Sequence, residues 1–179
     1  MALRFGEILA QSFTMLLPIL GSGIVLIAAM KMRWFESLNH PLDGGSGLFG
    51  ANKTWRGVII HLVVATTIVA ALHSLTPSQW IAPQYESEPI VLGLALSGSY
   101  VAGELINSFI KRRRGIPSGH AGGLIQQFFD NVDGSLATGP VVIFVYHVPV
   151  DLIVTSFALG ILTHVITDTV MRRLRLKQR

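Results

Sequence analysis

The stretch that decides the fold class is ILAQSFTMLLPILGSGIVLIAAM, residues Ile8–Met30, which contains no Asp, Glu, Lys or Arg. A helix of about 20 apolar residues crosses the hydrocarbon core of a bilayer, so this run is long enough to span it. It is too long for the apolar region of a secretory signal, and it lacks the flanking charges and cleavage site of one. We therefore expect a membrane-spanning helix here.

The composition of the whole chain agrees with that expectation. Of its 179 residues, 50% are hydrophobic and 13% are charged, and the mean hydropathy is +0.54. These values exclude a disordered chain, a coiled coil and a conventional water-soluble enzyme. Cysteine is absent, which removes disulfides and thiolate chemistry. The prediction is one all-α integral membrane domain that covers residues 1–179.

Further spans follow from the remaining apolar segments. Val58–Leu75 and Ile90–Ile110 each reach the minimum spanning length. The apolar region after residue 134 is too long for one ordinary crossing, and Pro149 interrupts it near its middle. We predict two short crossings there, Leu136–Val148 and Leu152–Met171, which gives about five transmembrane helices.

The distribution of basic residues selects a topology, because Lys and Arg concentrate in cytoplasmic loops. Five spans with the amino end outside place 13 of the 14 basic residues on the cytoplasmic side. A four-span arrangement would put the basic tail opposite the cluster that begins at Lys111. The net charge of +4 is then explained by topology, and no nucleic-acid partner is expected. The polar chemistry is predicted in the two inner loops, residues 31–57 and 111–135.

The first inner loop contains the glycine-rich string PLDGGSGLFGANKTWRG, residues 41–57. Glycine lets backbone amides turn toward an anion, and a following helix amino terminus adds a favourable dipole. The loop is therefore a candidate phosphate site, although its spacing differs from that of a Walker loop. A flexible turn with two positive-inside residues is the alternative interpretation.

A second group of candidates lies at the end of the third span, in GELINSFIKRRRG, residues 103–115. Glu104, Ser108 and Lys111 are separated by four and three residues, so they share one helical face. An acid inside a span needs a partner, and an ion pair with another helix would explain Glu104 without any catalysis. The basic cluster after it could equally anchor anionic lipid.

The third group follows in IPSGHAGG, residues 116–123, and LIQQFFDNVDG, residues 124–134. Asp130 and Asp133 are three positions apart and share a helical face. Mg²⁺ is usually held by one or two carboxylates together with substrate phosphates, so this pair is a candidate metal site. A polar position at the Gly134 turn is the plainer interpretation of Asp133.

The order of these motifs resembles that of the CDP-archaeol synthase family, which is distantly similar to phosphatidate cytidylyltransferases. The strings NKTWRG and SFIKRR carry most of the resemblance, together with the earlier LDGG and the later Asp130. The resemblance implies transfer of CMP from CTP to a membrane lipid that bears a glycerol phosphate, with release of pyrophosphate and dependence on Mg²⁺.

The resemblance also implies roles for individual residues. One group would bind the nucleotide and its phosphates, a second would form a phosphate-facing wall, and carboxylates would hold the metal. The nucleotide loop comprises Asp43, Asn52, Lys53, Thr54 and Arg56; the wall comprises Ser108, Lys111, Arg112 and Arg113, with His120 in a stretch similar to G-H-G-G; the metal ligands are Asp130 and Glu104. Charge stabilisation during transfer would come from Lys53, Arg56, Lys111 and Arg112, with Asp130 completing the catalytic set.

The chain departs from the family pattern at three places. Glu104 stands where an aspartate is usual, and Gln126 or Gln127 stands where a further aspartate is usual. The basic segment after the Gly-Gly turn is shortened to Ser46–Leu48. Three alternatives therefore stay open: a cytidylyltransferase for diacyl phosphatidate, a non-enzymatic binder of anionic lipid or nucleotide, and a transporter.

Overall fold

The structure is a computed structural model that describes residues 5–81, 88–120 and 122–173. Within these ranges the chain is helical, apart from its turns and one antiparallel bridge between Pro41 and Thr54. The long helices are α1 (Phe5–Lys31), α2 (Trp55–Leu75), α3 (Pro89–Arg113), α4 (Leu124–Pro140) and α5 (Val150–Arg173). A π-helical segment, Val141–Val145, extends α4, and short 3-10 turns occur at Glu36–Leu38 and Ser78–Trp80.

The prediction of an all-α integral membrane protein is confirmed. By length and composition α1, α2 and α3 can each cross a membrane. Two further apolar segments, Val132–Val145 and Val150–Thr163, are shorter than a full crossing. The count of five spans stays a prediction, and the basic residues beyond 173 that support it lie outside the described part of the chain.

The predicted break at Pro149 is confirmed, but the start of the preceding helix differs from the prediction. The chain turns at His147, which has a positive φ of 50°, and α5 begins at Val150. The helix expected to begin at Leu136 instead begins at Leu124. Most of the predicted inner loop 111–135 is therefore helical, which leaves residues 114–123 as the connection between α3 and α4.

The five helices form a closed ring, in which each helix contacts its neighbours in chain order and α5 returns to α1. The core of buried side chains lies where these helices meet, and it includes Val69, Leu92, Leu96 and Leu152. Small polar residues are also buried, and some of them donate to carbonyls of their own helix. Ser97 donates to the carbonyl of Gly93 at 2.7 Å. Small residues of this kind allow close helix packing in a membrane.

Two glycines fix how α3 meets α4. A Cβ atom at Gly103 would collide with the backbone carbonyl of Asp133 and with the side chain of Ala137. A Cβ atom at Gly134 would collide with the ring of Tyr100. The two backbones therefore approach closely at this crossing, and the polar residues one turn further along α3 are held against α4.

Candidate active site

The glycine-rich loop between α1 and α2 is closed at its base by backbone hydrogen bonds. The amide of Leu42 donates to the carbonyl of Lys53 at 2.9 Å, beside the Pro41–Thr54 bridge. Positive φ angles occur at four of the loop glycines, where a side chain would be strained. These glycines are Gly44, Gly45, Gly47 and Gly50.

Asp43 organises this loop from within. Its carboxylate accepts hydrogen bonds from the amides of Phe49 and Gly45, each at 3.0 Å. The bond from Phe49 is the main reason that the pKa of Asp43 is lowered from its usual value. Both carboxylate oxygens of Asp43 therefore stabilise the fold of the loop.

Thr54 and Lys53 connect this loop to α2 and α3. Thr54 is the N-cap of α2, and its hydroxyl accepts from the amide of Gly57 at 3.4 Å. The ammonium group of Lys53 lies 2.5 Å from Oε2 of Glu104 on α3. Tyr100 precedes Glu104 by about one turn on the same face of α3. The ion pair ties the loop to α3. An ion pair was one interpretation of Glu104, but its partner lies in the loop before α2 and not on another helix.

A cavity of about 100 Å³ lies beside this ion pair. Its polar lining comes from the loop, from α3 and from His61 of α2, whose Nδ1 lies 2.8 Å from the hydroxyl of Ser22. The polar lining residues are Asn52, Lys53, Thr54, His61 and Glu104, and the rest are Leu26, Leu42, Gly57, Val58, Val101 and Leu105. Three residues predicted for the nucleotide loop thus face one cavity.

A second polar cluster lies where α3 meets α4. The ammonium group of Lys111 is 2.7 Å from Oδ2 of Asp130. The amide nitrogen of Asn107 donates both to Oδ1 of Asp130 and to Oδ2 of Asp133, each at 2.8 Å. Asp133 is also close enough to Glu104 to interact with it electrostatically, which links this cluster to the first.

Gln126 completes the second cluster, and Gln127 lies apart from it. The buried amide of Gln126 donates to Oδ1 of Asn107 at 2.7 Å and approaches Oδ1 of Asp130 at 3.4 Å. Gln127 instead donates to the carbonyl of Gly122. An aspartate at position 126 would place a third carboxylate in this cluster, where the chain has a neutral hydrogen-bond donor.

The two arginines after Lys111 differ in their surroundings. Within the described part of the chain, Nε and Nη1 of Arg112 are buried and have no hydrogen-bond partner. Buried guanidinium donors are costly unless an acceptor pairs with them. Arg113 is exposed and stacks over the ring of Phe109, with 5.0 Å between its Cζ and the ring centroid. The buried donors of Arg112 therefore favour an anion beside them, and the guanidinium of Arg113 is open to solvent.

Arg56 is directed away from both clusters. Its side chain is 7% exposed, and its Nη1 lies 3.0 Å from a carboxylate oxygen of Glu36. Nη2 donates to the side-chain oxygen of Asn39 at 3.0 Å, and Nη1 also approaches the carbonyl of Trp34. The structure therefore places Arg56 among the residues that hold the 34–39 segment against α2.

The connection between α3 and α4 contacts the glycine-rich loop. The hydroxyl of Ser118 donates to the side-chain oxygen of Asn52 at 2.6 Å. His120 is exposed, and its Nδ1 lies 3.1 Å from the carbonyl of Ser118. Ser108 is partly buried on α3, on the same helix as Lys111. The two segments that carry the predicted motifs are thus brought together at one end of the bundle.

Sequence reasoning missed Asn107 and Tyr100, which the structure places between the charged groups. Asn107 follows Glu104 by three residues and precedes Lys111 by four, so the same helical spacing that selected those two also selects Asn107. The role of Tyr100 depends on the close crossing at Gly134, which no local pattern reveals.

Comparison with known proteins agrees with this arrangement of motifs. Residues 8–179 match the CarS-like CDP-archaeol synthase family. The CDP-archaeol synthase of Pyrobaculum arsenaticum is 28% identical over 90% of this chain and 91% of its own. That of Sulfolobus acidocaldarius is 27% identical over 77% of each chain, and that of Pyrococcus abyssi is 39% identical over 42% of this chain and 44% of its own.

No solved structure matches this chain. The family match nevertheless covers nearly the whole length, including both clusters and all five helices. The span of the family match and the resemblance in the loop motifs both indicate the same family. This chain belongs to the CDP-archaeol synthase family of membrane cytidylyltransferases.

Proposed function

We propose that this protein transfers CMP from CTP to an isoprenoid-ether glycerol phosphate lipid and releases pyrophosphate. An oxygen of the lipid phosphate attacks the α-phosphorus of CTP, a new phosphorus–oxygen bond forms, and the bond to the bridging oxygen of pyrophosphate breaks. Both reactants are anions, so the main catalytic demands are charge neutralisation and in-line positioning. The lipid phosphate is already ionised, so the reaction needs no protein nucleophile.

The observation that carries the proposal is the side-by-side placement of the two charged clusters. Helix α3 presents Glu104 to Lys53 of the glycine-rich loop, and Lys111 to Asp130 of α4. A water-soluble anion and a membrane-embedded lipid phosphate can meet where such polar groups border apolar helices. The unpartnered donors of Arg112 lie next to Lys111 in the sequence and supply further positive charge for a phosphate.

Mg²⁺ is part of the proposal, and the second cluster has the donor chemistry to hold it. Asp130 and Asp133 offer hard carboxylate oxygens that flank the same nitrogen of Asn107. Among the described residues no group of three or more His, Asp or Glu side chains converges into a metal site. Two carboxylates suffice, however, because Mg²⁺ takes its remaining ligands from water and substrate phosphates. When bound there, it would neutralise phosphate charge.

Glu104, the other predicted ligand, is paired with Lys53, so it belongs to the first cluster. We infer that it positions Lys53 for the nucleotide phosphates. Arg56 has a comparable supporting role, because its buried guanidinium braces the segment before α2. Asp43 and Thr54 shape the glycine-rich loop, and Asn52, Ser108, Arg113 and His120 are proposed contacts for substrate at its rim.

The location of the site is also a proposal. Its basic residues lie at the carboxyl end of α3 and just before α2, which the positive-inside rule assigns to the cytoplasm. CTP then reaches the site from the cytoplasm, and the lipid chains lie between the helices at the depth of the inner leaflet. The amino end would then be outside.

An equimolar lipid mixture tests the reaction and its substrate together. Purified protein in detergent receives CTP, Mg²⁺, an unsaturated isoprenoid diether glycerol phosphate and diacyl phosphatidate, and mass spectrometry identifies any CDP-lipid. We expect the CDP-diether product. A CDP-diacyl product would retain the chemistry but overturn the lipid assignment, and the lack of both products from folded, CTP-binding protein would favour a non-enzymatic binder.

A further inference from the structure

A second cavity, of about 110 Å³, lies among α1, α3, α4 and α5. We call it the apolar cavity, and its walls include Leu16, Leu96, Val142 and Phe157. A hydroxyl in its wall is already paired, because Thr138 donates to the carbonyl of Gly134 at 2.9 Å. The cavity therefore favours a hydrocarbon occupant over a polar one.

Its size sets the scale of the occupant. An apolar protein cavity of about 150 Å³ stays dry and accepts benzene, a molecule of six carbons. A cavity somewhat smaller than that accommodates a branched group of about five carbons. One isoprene unit of a lipid chain has this size, and its methyl branch makes it wider than the same length of straight chain.

The apolar cavity and the polar site lie along the same face of α3. Glu104, Tyr100 and Leu96 follow one another at intervals of four residues, so they lie on the same face. Tyr100 stands between the two regions, since it lines the cavity and precedes Glu104 by about one helical turn on that face. At about 1.5 Å per residue, Leu96 lies about 12 Å along the helix from Glu104. A chain attached to a phosphate at the polar site can reach this depth.

Gly139 on α4 is the residue that keeps the cavity open. It lines the cavity, and a Cβ atom built on it meets nothing within 4 Å. The glycines at 103 and 134 are explained by backbone or ring contacts, but no such contact explains this one. Glycine is unfavourable inside a helix relative to alanine, and the space beside Gly139 is open to a larger side chain.

We propose that the apolar cavity holds one methyl-branched segment of a lipid substrate chain, and that Gly139 determines the width of chain accepted. The proposal rests on the lipid-phosphate chemistry proposed above, and it adds a specificity determinant to that site. A side chain larger than glycine at this position would occupy the space of the branch.

The first test compares Gly139→Leu and Gly139→Ala with Gly23→Leu. Gly23 on α1 also meets nothing within 4 Å of an added Cβ, but it does not line the cavity. We expect Gly139→Leu to lower kcat/KM for the branched diether phosphate about tenfold or more relative to a straight-chain diether phosphate. Gly139→Ala should give a smaller shift in the same direction, and Gly23→Leu should leave the ratio unchanged.

A second readout does not depend on turnover. A diether glycerol phosphate with a diazirine on an isoprene unit about 12 Å from its phosphate is photolysed with each folded protein, and labelled peptides are identified. We expect labels within residues 135–157 of the wild type and of Gly23→Leu, with loss of those labels in Gly139→Leu.

The two readouts separate the failure of this proposal from that of the proposed function. Labelling at the cavity without CDP-lipid formation would uphold the cavity and overturn the catalytic assignment. Product formation with an unchanged substrate ratio in Gly139→Leu, or labelling confined to other segments, would overturn the cavity assignment alone.

Discussion

Lys53 and Glu104 form an ion pair 2.5 Å long between residues that are 51 positions apart, and it joins the glycine-rich loop to the third helix. Both side chains are partly buried, with exposed fractions of 22% and 28%. Exposed surface pairs contribute little to stability, but partial burial reduces solvent screening. This pair therefore contributes to both loop position and stability.

A double-mutant cycle measures that contribution. We expect Lys53→Met and Glu104→Gln to destabilise the protein individually and to be non-additive, with a coupling free energy on the order of 1–2 kcal/mol. The free energy of unfolding in a constant detergent mixture is the appropriate measurement. Additive effects of the two substitutions would show that the pair has no energetic role.

Arg56 is predicted to act through structure, since its guanidinium contacts Glu36 and Asn39. Arg56→Lys retains the charge but cannot make both contacts, and we expect it to destabilise the protein by about 1–3 kcal/mol. The KM for CTP should change much less than in Lys53→Met. A large rise in that KM with unchanged thermal stability would assign Arg56 to the nucleotide instead.

The close crossing of α3 and α4 explains why part of this site was predictable and part was not. Lys53, Lys111 and Asp130 belong to motifs whose residue types and spacing indicate phosphate and metal chemistry, and the structure places all three in ion pairs. The pairing of Lys111 with Asp130 depends on the tertiary contacts of α3 and α4 at Gly103 and Gly134, which carry no local signal.

The long apolar helices were predictable because hydrophobic length alone identifies them. The start of α4 could not be predicted from the sequence in the same way. Residues 124–134 mix polar, aromatic and glycine positions, and the favourable packing of Gly134 beneath Tyr100 allows the helix to continue where a turn was expected.

Gly103→Ala tests the crossing directly. The added methyl group meets the Asp133 carbonyl, so α3 and α4 must separate, and we expect a loss of about 1–3 kcal/mol in unfolding free energy together with reduced turnover. Gly98→Ala is the matched control, since its nearest neighbour is a flexible Leu62 methyl at 4.0 Å. Equal behaviour of the two variants would contradict the proposed close approach.

The glycine-rich loop should respond to pH through Asp43. Its folded-state pKa lies below the usual value of 3.8, so its carboxylate stabilises the loop above that value, and the contribution is lost as pH falls through the folded-state pKa. The amide resonances of Phe49 and Gly45 should titrate together below pH 3.8. In Asp43→Asn these two resonances should not shift with pH in this range. In the wild type, a titration midpoint at the usual value of 3.8 would show that the hydrogen bonds from the two amides to Asp43 are absent.

In the proposed reaction the cluster of Lys111 and Asp130 supports transfer of the α-phosphate of CTP to a lipid. The most direct measurement supplies CTP labelled with ³²P at either the α or the γ position, together with Mg²⁺ and the diether glycerol phosphate, and follows label into the organic phase. Asp130→Asn retains hydrogen-bonding capacity beside Asn107 but removes the negative charge, and Asp151→Asn at the start of α5 is its control.

We predict that label from the α position enters the lipid and that label from the γ position does not. The rate should fall by about 100-fold or more in Asp130→Asn, with folding preserved, and remain near wild type in Asp151→Asn. Transfer of γ label to the lipid would contradict the proposed reaction. Full activity of folded Asp130→Asn would contradict the proposed role of Asp130.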